Sequence, residues 1–268
     1  MRIKFLGTHN AESRSTRLVS FVIDEQLAIE AGSLTSELTF AEQTKIKWIL
    51  ISHGHYDHIT TIPTLAFNNI KHLTRIYSTP GTLEVISGLI DGVVYPEFTS
   101  EDSYLGKATI ELIPIEPYVT QLINGYEITA IPVNHPLHAV GFEIVSAEGS
   151  RLFYSGDTGC GLNKVWERVS PQILIIDVTF PNRFRNIAED ADHLCPEMLM
   201  EELISFKRIK GYFPKVITIH MSPQLEEEIA EEVAEVASKL EISITVSHEG
   251  QEINPWNNDP SKYNASIE

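Results

Sequence analysis

Residues 53–58 read His53-Gly54-His55-Tyr56-Asp57-His58, and this HxHxDH run decides how the rest of the chain is read. It follows Trp48-Ile49-Leu50-Ile51, an apolar run of the kind a fully buried strand shows. Side chains at the end of a strand sit at the rim of its sheet, where open α/β sheets bind ligands. Alternate residues of an extended segment point the same way, so His53 and His55 can share one metal ion. Asp57 and His58, at the start of the next helix, can reach a second. Imidazole and carboxylate donors suit zinc, manganese or iron and do not choose among them. The bland alternative is a polar helix cap that happens to carry histidines. Three His and one Asp within six positions make it a poor one.

Further candidates stand in the same context. Asn134-His135-Pro136 follows the β-like run 126–133, Gly156-Asp157-Thr158-Gly159 follows Leu152-Phe153-Tyr154, and His220 follows Val216-Ile217-Thr218-Ile219. A lone His beside an apolar strand is more often a satisfied core residue than a ligand. Three such placements beside an HxHxDH run favour ligation.

In chain order, HGHYDH, NHP, GDTG and IHMS resemble the ligand motifs of the metallo-β-lactamase-fold hydrolases, over residues from about 1 to 250. The resemblance implies an α/β chain folded as a four-layer αββα sandwich, two facing sheets with helices outside. Carried over residue by residue, it implies that His53, His55 and His135 hold one metal. Asp57, His58 and His220 would hold the other, with Asp157 bridging them. The expected cofactors are two divalent ions, zinc ahead of manganese or iron.

Within that superfamily, β-lactamase branches commonly carry Cys where this chain has Asp157. Glyoxalase and lactonase branches show a GHTxGH-like run around the third His, and here the run is Asn134-His135-Pro136-Leu137-His138. Phosphodiesterase branches fit better. Asp177-Val178-Thr179-Phe180-Pro181-Asn182, then His193-Leu194-Cys195-Pro196, is similar to the acid-then-histidine pair of class II cyclic-nucleotide phosphodiesterases. Ile219-His220-Met221-Ser222-Pro223 resembles their HxxP-type ligand loop. The tRNA 3′-processing endonucleases share such a pair, but carry a long arm between the third His and the bridging Asp. Here only about twenty residues separate His135 from Asp157. Asp177 stands where Glu is commoner, Glu30 replaces the usual Asp, and the opening residues 7–13 are atypical.

The resulting expectation is a metal-dependent hydrolase of a small or cyclic phosphodiester. Two divalent ions about 3.5–4 Å apart lower the pKa of a water between them towards or below ~7, and the hydroxide attacks phosphorus in line. The leaving alkoxide needs a proton, and a histidine with a reference pKa of about 6.5 is suited to give it. His193 is the candidate, with Asp177 orienting its ring. Asp57 counts with them as catalytic besides being a ligand. Two other readings stay open: hydrolysis of a carboxylic ester, lactone or thioester by the same metals, and a diiron redox or oxygen-sensing protein on the same fold. The redox members typically show Glu for a His ligand and a fused flavin domain, and neither occurs here.

Composition bounds the partners. At 268 residues, 43% hydrophobic and with no Pro/Gly/Ser-rich linker, the chain reads as one domain over 1–253. Residues 254–268, with Pro255, Asn257, Asn258 and Pro260, read as a loosely ordered tail or a homodimer contact. No apolar stretch approaches the roughly 18 residues of a membrane span. Met1-Arg2-Ile3-Lys4-Phe5-Leu6-Gly7 reads as a first strand rather than a signal peptide. Cys160 and Cys195 make no disulfide framework, so the expected location is cytoplasmic. With 37 acidic and 20 basic residues the net charge is −17, which argues against a nucleic-acid polymer as partner. A small anion can still bind where metal charge dominates locally. The acidic run 226–235 has Leu225, Ile229, Val233, Val236 and Leu240 near helical spacing, so its acids are expected on a solvated helix face.

The apolar pattern falls into two similar halves. Strands are expected near 3–6, 18–23, 27–31, 47–51, 75–77, 109–113, 126–133, 140–145, 151–154, 173–176, 215–219 and 243–246. Helices are expected near 39–45, 59–69, 163–168, 196–206 and 223–240, and from Thr82. His9 and His138 are candidates for the pocket rim, His248 for a turn near the metals and His72 for the surface. Tyr95, Pro96 and Phe98 read as a loop brace, with a substrate wall or a dimer contact as alternatives.

Overall fold

The computed structural model describes residues 1–99 and 106–254, among which two seven-stranded sheets face each other. The first contains, side by side, β1 (Ile3–Gly7), β2 (Ser20–Ile23), β3 (Leu27–Ile29), β4 (Trp48–Leu50), β5 (Thr74–Ser78) and β6 (Ile110–Pro114). The second contains β7 (Thr120–Ile123), β8 (Tyr126–Pro132), β9 (Val140–Val145), β10 (Arg151–Tyr154), β11 (Ile173–Asp177), β12 (Lys215–Ile219) and β13 (Ile244–Val246). The two-residue β14 (Glu252–Ile253) returns to the outer edge of β1. Each half starts antiparallel and ends parallel, switching at β3 in the first sheet and at β10 in the second.

Alternation along the strands builds the layers. Leu50 of β4 and Ile173 and Ile175 of β11 face the opposite sheet, where they meet Phe5, Phe21, Phe142 and Tyr154. Their neighbours point outward, Ile49 and Ile51 on one side, Leu174 and Ile176 on the other. Helices α1 (Leu34–Glu37), α2 (Phe40–Gln43), α3 (Tyr56–Ile59), α4 (Ile62–Asn68) and α5 (Pro80–Leu89) belong to the first half. Leu34, Ile59, Leu65 and Ile86 from four of them cover its outer face. In the second half α6 (Asn163–Arg168), α7 (Arg185–Asp190), α8 (Pro196–Lys210) and α9 (Glu226–Leu240) supply Trp166, Ala188, Phe206 and Val233. The result is the four-layer αββα sandwich. Strands buried on both faces explain why their sequences read as continuous apolar runs.

The departures from expectation have local causes. The single helix expected over 59–69 is two, α3 and α4. Thr61 between them donates its N–H (2.9 Å) and its hydroxyl (2.5 Å) to the Ala31 carbonyl, pulling the chain towards the end of β3. The helix expected over 39–45 shrinks to α2, started by reciprocal hydrogen bonds between Thr39 and Glu42. The helix expected from Thr82 starts at Pro80, a residue well suited to a first turn. No helix among the described residues is long and apolar enough to cross a membrane. The expected tail beyond Asn254 lies outside the described residues, as do Glu101 and Asp102.

Candidate metal centre

Strand ends from both sheets deliver the candidate side chains to one rim. The HxHxDH loop leaves β4, Asn134 and His135 leave β8, Asp157 leaves β10, Asp177 ends β11 and His220 leaves β12. The two sheets touch where Ser52 meets Gly156. Gly156 has φ +62, and a Cβ there would lie 2.8 Å from the Ser52 Cβ, so glycine suits both the turn and the contact. Beside it the Val140 N–H donates to the Ser52 carbonyl at 3.1 Å.

Three groups of donors result among the described residues: His53, His55, His135 and Asp157, then Asp57, His58, Asp157 and His220, and beside them the smaller Asp177, His193 and His220, with the donor atoms of each group within 4.8 Å of one another. In the first, His55 Nδ1 lies 2.8 Å from His53 Nε2 and 3.2 Å from His135 Nε2. In the second, Asp57 Oδ2 lies 3.0 Å from His220 Nε2 and 3.6 Å from His58 Nε2. Asp157 belongs to both. Its Oδ2 is 3.6 Å from His53 Nε2, 3.2 Å from His58 Nε2 and 3.3 Å from His220 Nε2, while its buried Oδ1 has no hydrogen-bond partner. His55 Nδ1 offers either one N–H or one lone pair, so it cannot pair with both of the other ring nitrogens at once. Tetrahedral donors around a zinc ion at ~2.0–2.1 Å stand about 3.3 Å apart, close to these spacings. The donor sets therefore fit divalent cations, with the unpaired Asp157 Oδ1 and the shared Oδ2 available between them.

Residues behind the rings set their orientation. Ser52 Oγ is 2.9 Å from His53 Nδ1, while Glu30 Oε2 makes an ion-pair contact 3.4 Å from His58 Nδ1, which has no hydrogen-bond partner. The Glu30 carboxylate is fully buried and accepts the Ser52 N–H at 3.2 Å, and burial together with the Glu30 charge pushes the Tyr154 hydroxyl of the opposite sheet well above its usual range. Thr179 has one hydroxyl proton, given to Asp177 Oδ1 at 2.5 Å. His220 Nδ1, 2.8 Å from the same hydroxyl oxygen, must then be a donor, and Nε2, 3.0 Å from Asp57 Oδ2 and 3.3 Å from Asp157 Oδ2, carries the proton that a bound cation would displace. The other Asp177 oxygen lies 2.7 Å from His193 Nδ1 and accepts the Thr158 N–H at 3.2 Å. The half-buried His193 ring stacks on His220 with centroids 5.2 Å apart.

Burial, with other histidines close by, holds His53 well below the usual imidazole range, and His55 and His135 shift the same way. Burial also opposes charge on His58 and His220, but Asp157 and neighbouring carboxylates outweigh it. They hold His58 well above its ordinary value and push His220 up to about 10. A cation binding there displaces protons. For His193 the Asp177 charge likewise overcomes burial and raises the ring.

Other expectations land elsewhere. His9 is not on the rim: its ring is buried between Glu226 and Glu249. Glu226 therefore departs from the solvated face expected of its helix, as does Glu232, which accepts the Asn182 N–H at 2.7 Å. His72, His138 and His248 are exposed and outside the donor groups. Tyr95 packs on Phe98 and Phe67 as a brace. Ser52 and Tyr154 had no signal of their own, and Thr179 was only part of a longer motif. Asn10, Glu12, Leu18 and Tyr56 join the donors around an open cleft of about 420 Å³.

A family model described as a beta-lactamase superfamily domain matches residues 23–248. Ribonuclease Z of Bradyrhizobium sp. (strain ORS 278) is 30% identical over 105 residues, 37% of this chain and 32% of that protein. The chain thus spans about a third of that relative's length. Ribonuclease Z of Bradyrhizobium diazoefficiens is 24% identical over an alignment 301 positions long, covering 92% of this chain and 98% of that protein. The structure of unliganded yeast PDE1 has a TM-score of 0.79 at 14% identity, over 94% of this chain and 98% of that one, and shares its fold.

Proposed function

The chain belongs to the beta-lactamase superfamily, and from that premise we propose that it is a dinuclear metal-dependent hydrolase of a small or cyclic phosphodiester. The observation carrying this is the Asp157 carboxylate shared by two donor groups, with His193 stacked at their edge and held by Asp177. His53, His55 and His135 would hold one ion, Asp57, His58 and His220 the other, and Asp157 both. Zinc is favoured by the imidazole-rich donor set. When bound, such ions lower the pKa of a held water and draw charge from a phosphoryl oxygen.

The chain's own residues supply the rest. Asp57 and Asp157 would balance the cations' charge and hold them in position. His193, with Nδ1 donating to Asp177, presents Nε2 to the leaving oxygen. As the P–O bond to that oxygen breaks, the Nε2 proton passes to it, leaving an alcohol and a phosphate monoester. Asp177 steadies the imidazolium beforehand.

A ribonuclease Z reading has the full-length relative in its favour. Against it, the span from His135 to Asp157 is taken up by the hairpin of β9 and β10, where the arm of the tRNA-processing members would be. The cleft volume is also in the range of small-ligand sites. The test uses protein reconstituted with zinc, manganese or iron at two ionic strengths. Turnover of bis-aryl phosphodiesters or of 2′,3′- or 3′,5′-cyclic nucleotides with weak salt dependence is expected. Efficient, salt-sensitive cutting of precursor tRNA without small-diester turnover overturns the reading.

A further inference from the structure

His220 sits at φ +69, a backbone conformation that residues with a side chain rarely adopt, so neighbouring structure must hold it there. The holder is the stretch after β1. The Thr8 carbonyl accepts the N–H of His220 at 2.7 Å and of Met221 at 3.1 Å. The Asn10 N–H donates to the Met221 carbonyl at 3.2 Å, and its side-chain amide to Ser222 Oγ at 3.2 Å. Residues 8–10 thus lie as a strap across the loop that carries His220.

His9 is the middle of the strap, and its ring takes no part in the donor groups. Its side chain is 2% exposed, with Nδ1 2.6 Å from Glu249 Oε1 and Nε2 3.1 Å from Glu226 Oε2. A neutral imidazole has one N–H, so carboxylates at both nitrogens call for the doubly protonated ring. Glu226 opens α9, and Glu249 lies between β13 and β14, where it also accepts the Arg17 N–H at 3.0 Å. One ring therefore pins the strap to two separate elements.

We propose that His9 is a positioning residue: gripped by Glu226 and Glu249, it fixes the strap that holds His220 in its left-handed conformation and so sets the affinity of the ion His220 helps to hold. This rests on the ligand reading proposed above.

The test is zinc titration against a competing chelator, which resolves two affinities per chain, with circular dichroism of the metal-free protein as a control on folding. In His9→Ala the tighter or weaker of the two affinities, whichever His220→Ala abolishes, falls tenfold or more while the other stays as in wild type. Glu249→Ala reproduces that selective loss and carries the test if His9→Ala does not fold. Glu249→Gln, which keeps an acceptor oxygen, restores most of it. Two wild-type affinities in folded His9→Ala or Glu249→Ala overturn the proposal, and so does an equal fall in both. If His220→Ala itself keeps two wild-type affinities, the ligand reading fails, and the proposal with it.

Discussion

Asp177 serves two histidines with its two oxygens. Oδ2 faces His193 directly at 2.7 Å, and Oδ1 reaches His220 through the Thr179 hydroxyl. One carboxylate thus sets the tautomer of a candidate ligand and of a candidate acid, a coupling that fits proton donation at the edge of a metal centre. If His193 protonates the leaving group, His193→Ala lowers kcat on the order of 10²–10⁴-fold with metal content unchanged. The loss shrinks on nitrophenyl esters, whose leaving group needs no proton. An equal loss on activated and unactivated esters would falsify the acid role. At this scale the candidate donors were legible because His53, His135, Asp157 and His220 follow strand ends, which sequence marks by an apolar run, and His55, Asp57 and His58 continue the HxHxDH run into α3. The partners behind them were not, because Tyr154 and Glu30 meet only when two sheets face each other. His9 was misplaced for the same reason: its partners lie 217 and 240 residues away.

The elements that aim the site are tied by charged side chains in their flanks. Glu202 of α8 is buried and accepts the Gly161 N–H at 2.6 Å and the Trp166 Nε1–H at 2.8 Å. It thereby closes the loop between Asp157 and α6. Removing it strands these donors, so Glu202→Ala is expected to cost about 2–4 kcal/mol, read from urea unfolding of the metal-free protein. Glu202→Gln keeps an acceptor and costs less. A midpoint unchanged in Glu202→Ala would remove this tie from the account. Strands such as β11 were readable because Ile173-Leu174-Ile175-Ile176 is buried on both faces. Strand β7 was not: Thr120 and Leu122 are exposed, and its pairing with β8 decides its state. Strand β14 is two residues long and exists through Ile3 and Lys4 of β1. Contacts distant in sequence override local pattern in both.

Across the whole molecule, each sheet contributes part of both donor groups that share Asp157. His53, His55, Asp57 and His58 come from the first, and His135, Asp157 and His220 from the second. Neither half completes either of the two Asp157 groups alone, so ions bound there would clasp the two sheets together at the Ser52–Gly156 contact. The overall charge of −17 does not oppose this, because the ions' own charge dominates locally. Several basic side chains are already engaged by the protein's own acids: Arg17 with Glu37, Arg75 with Glu111, Arg183 with Glu228, and Arg185 with Glu189, Glu197 and Glu201. The central claim is that one carboxylate, Asp157, serves two ions. Metal content by plasma emission analysis of zinc-reconstituted wild type and Asp157→Ala tests it most directly. Two ions per wild-type chain, falling well below two in the variant with hydrolysis abolished, is the predicted result; full occupancy in Asp157→Ala would contradict it.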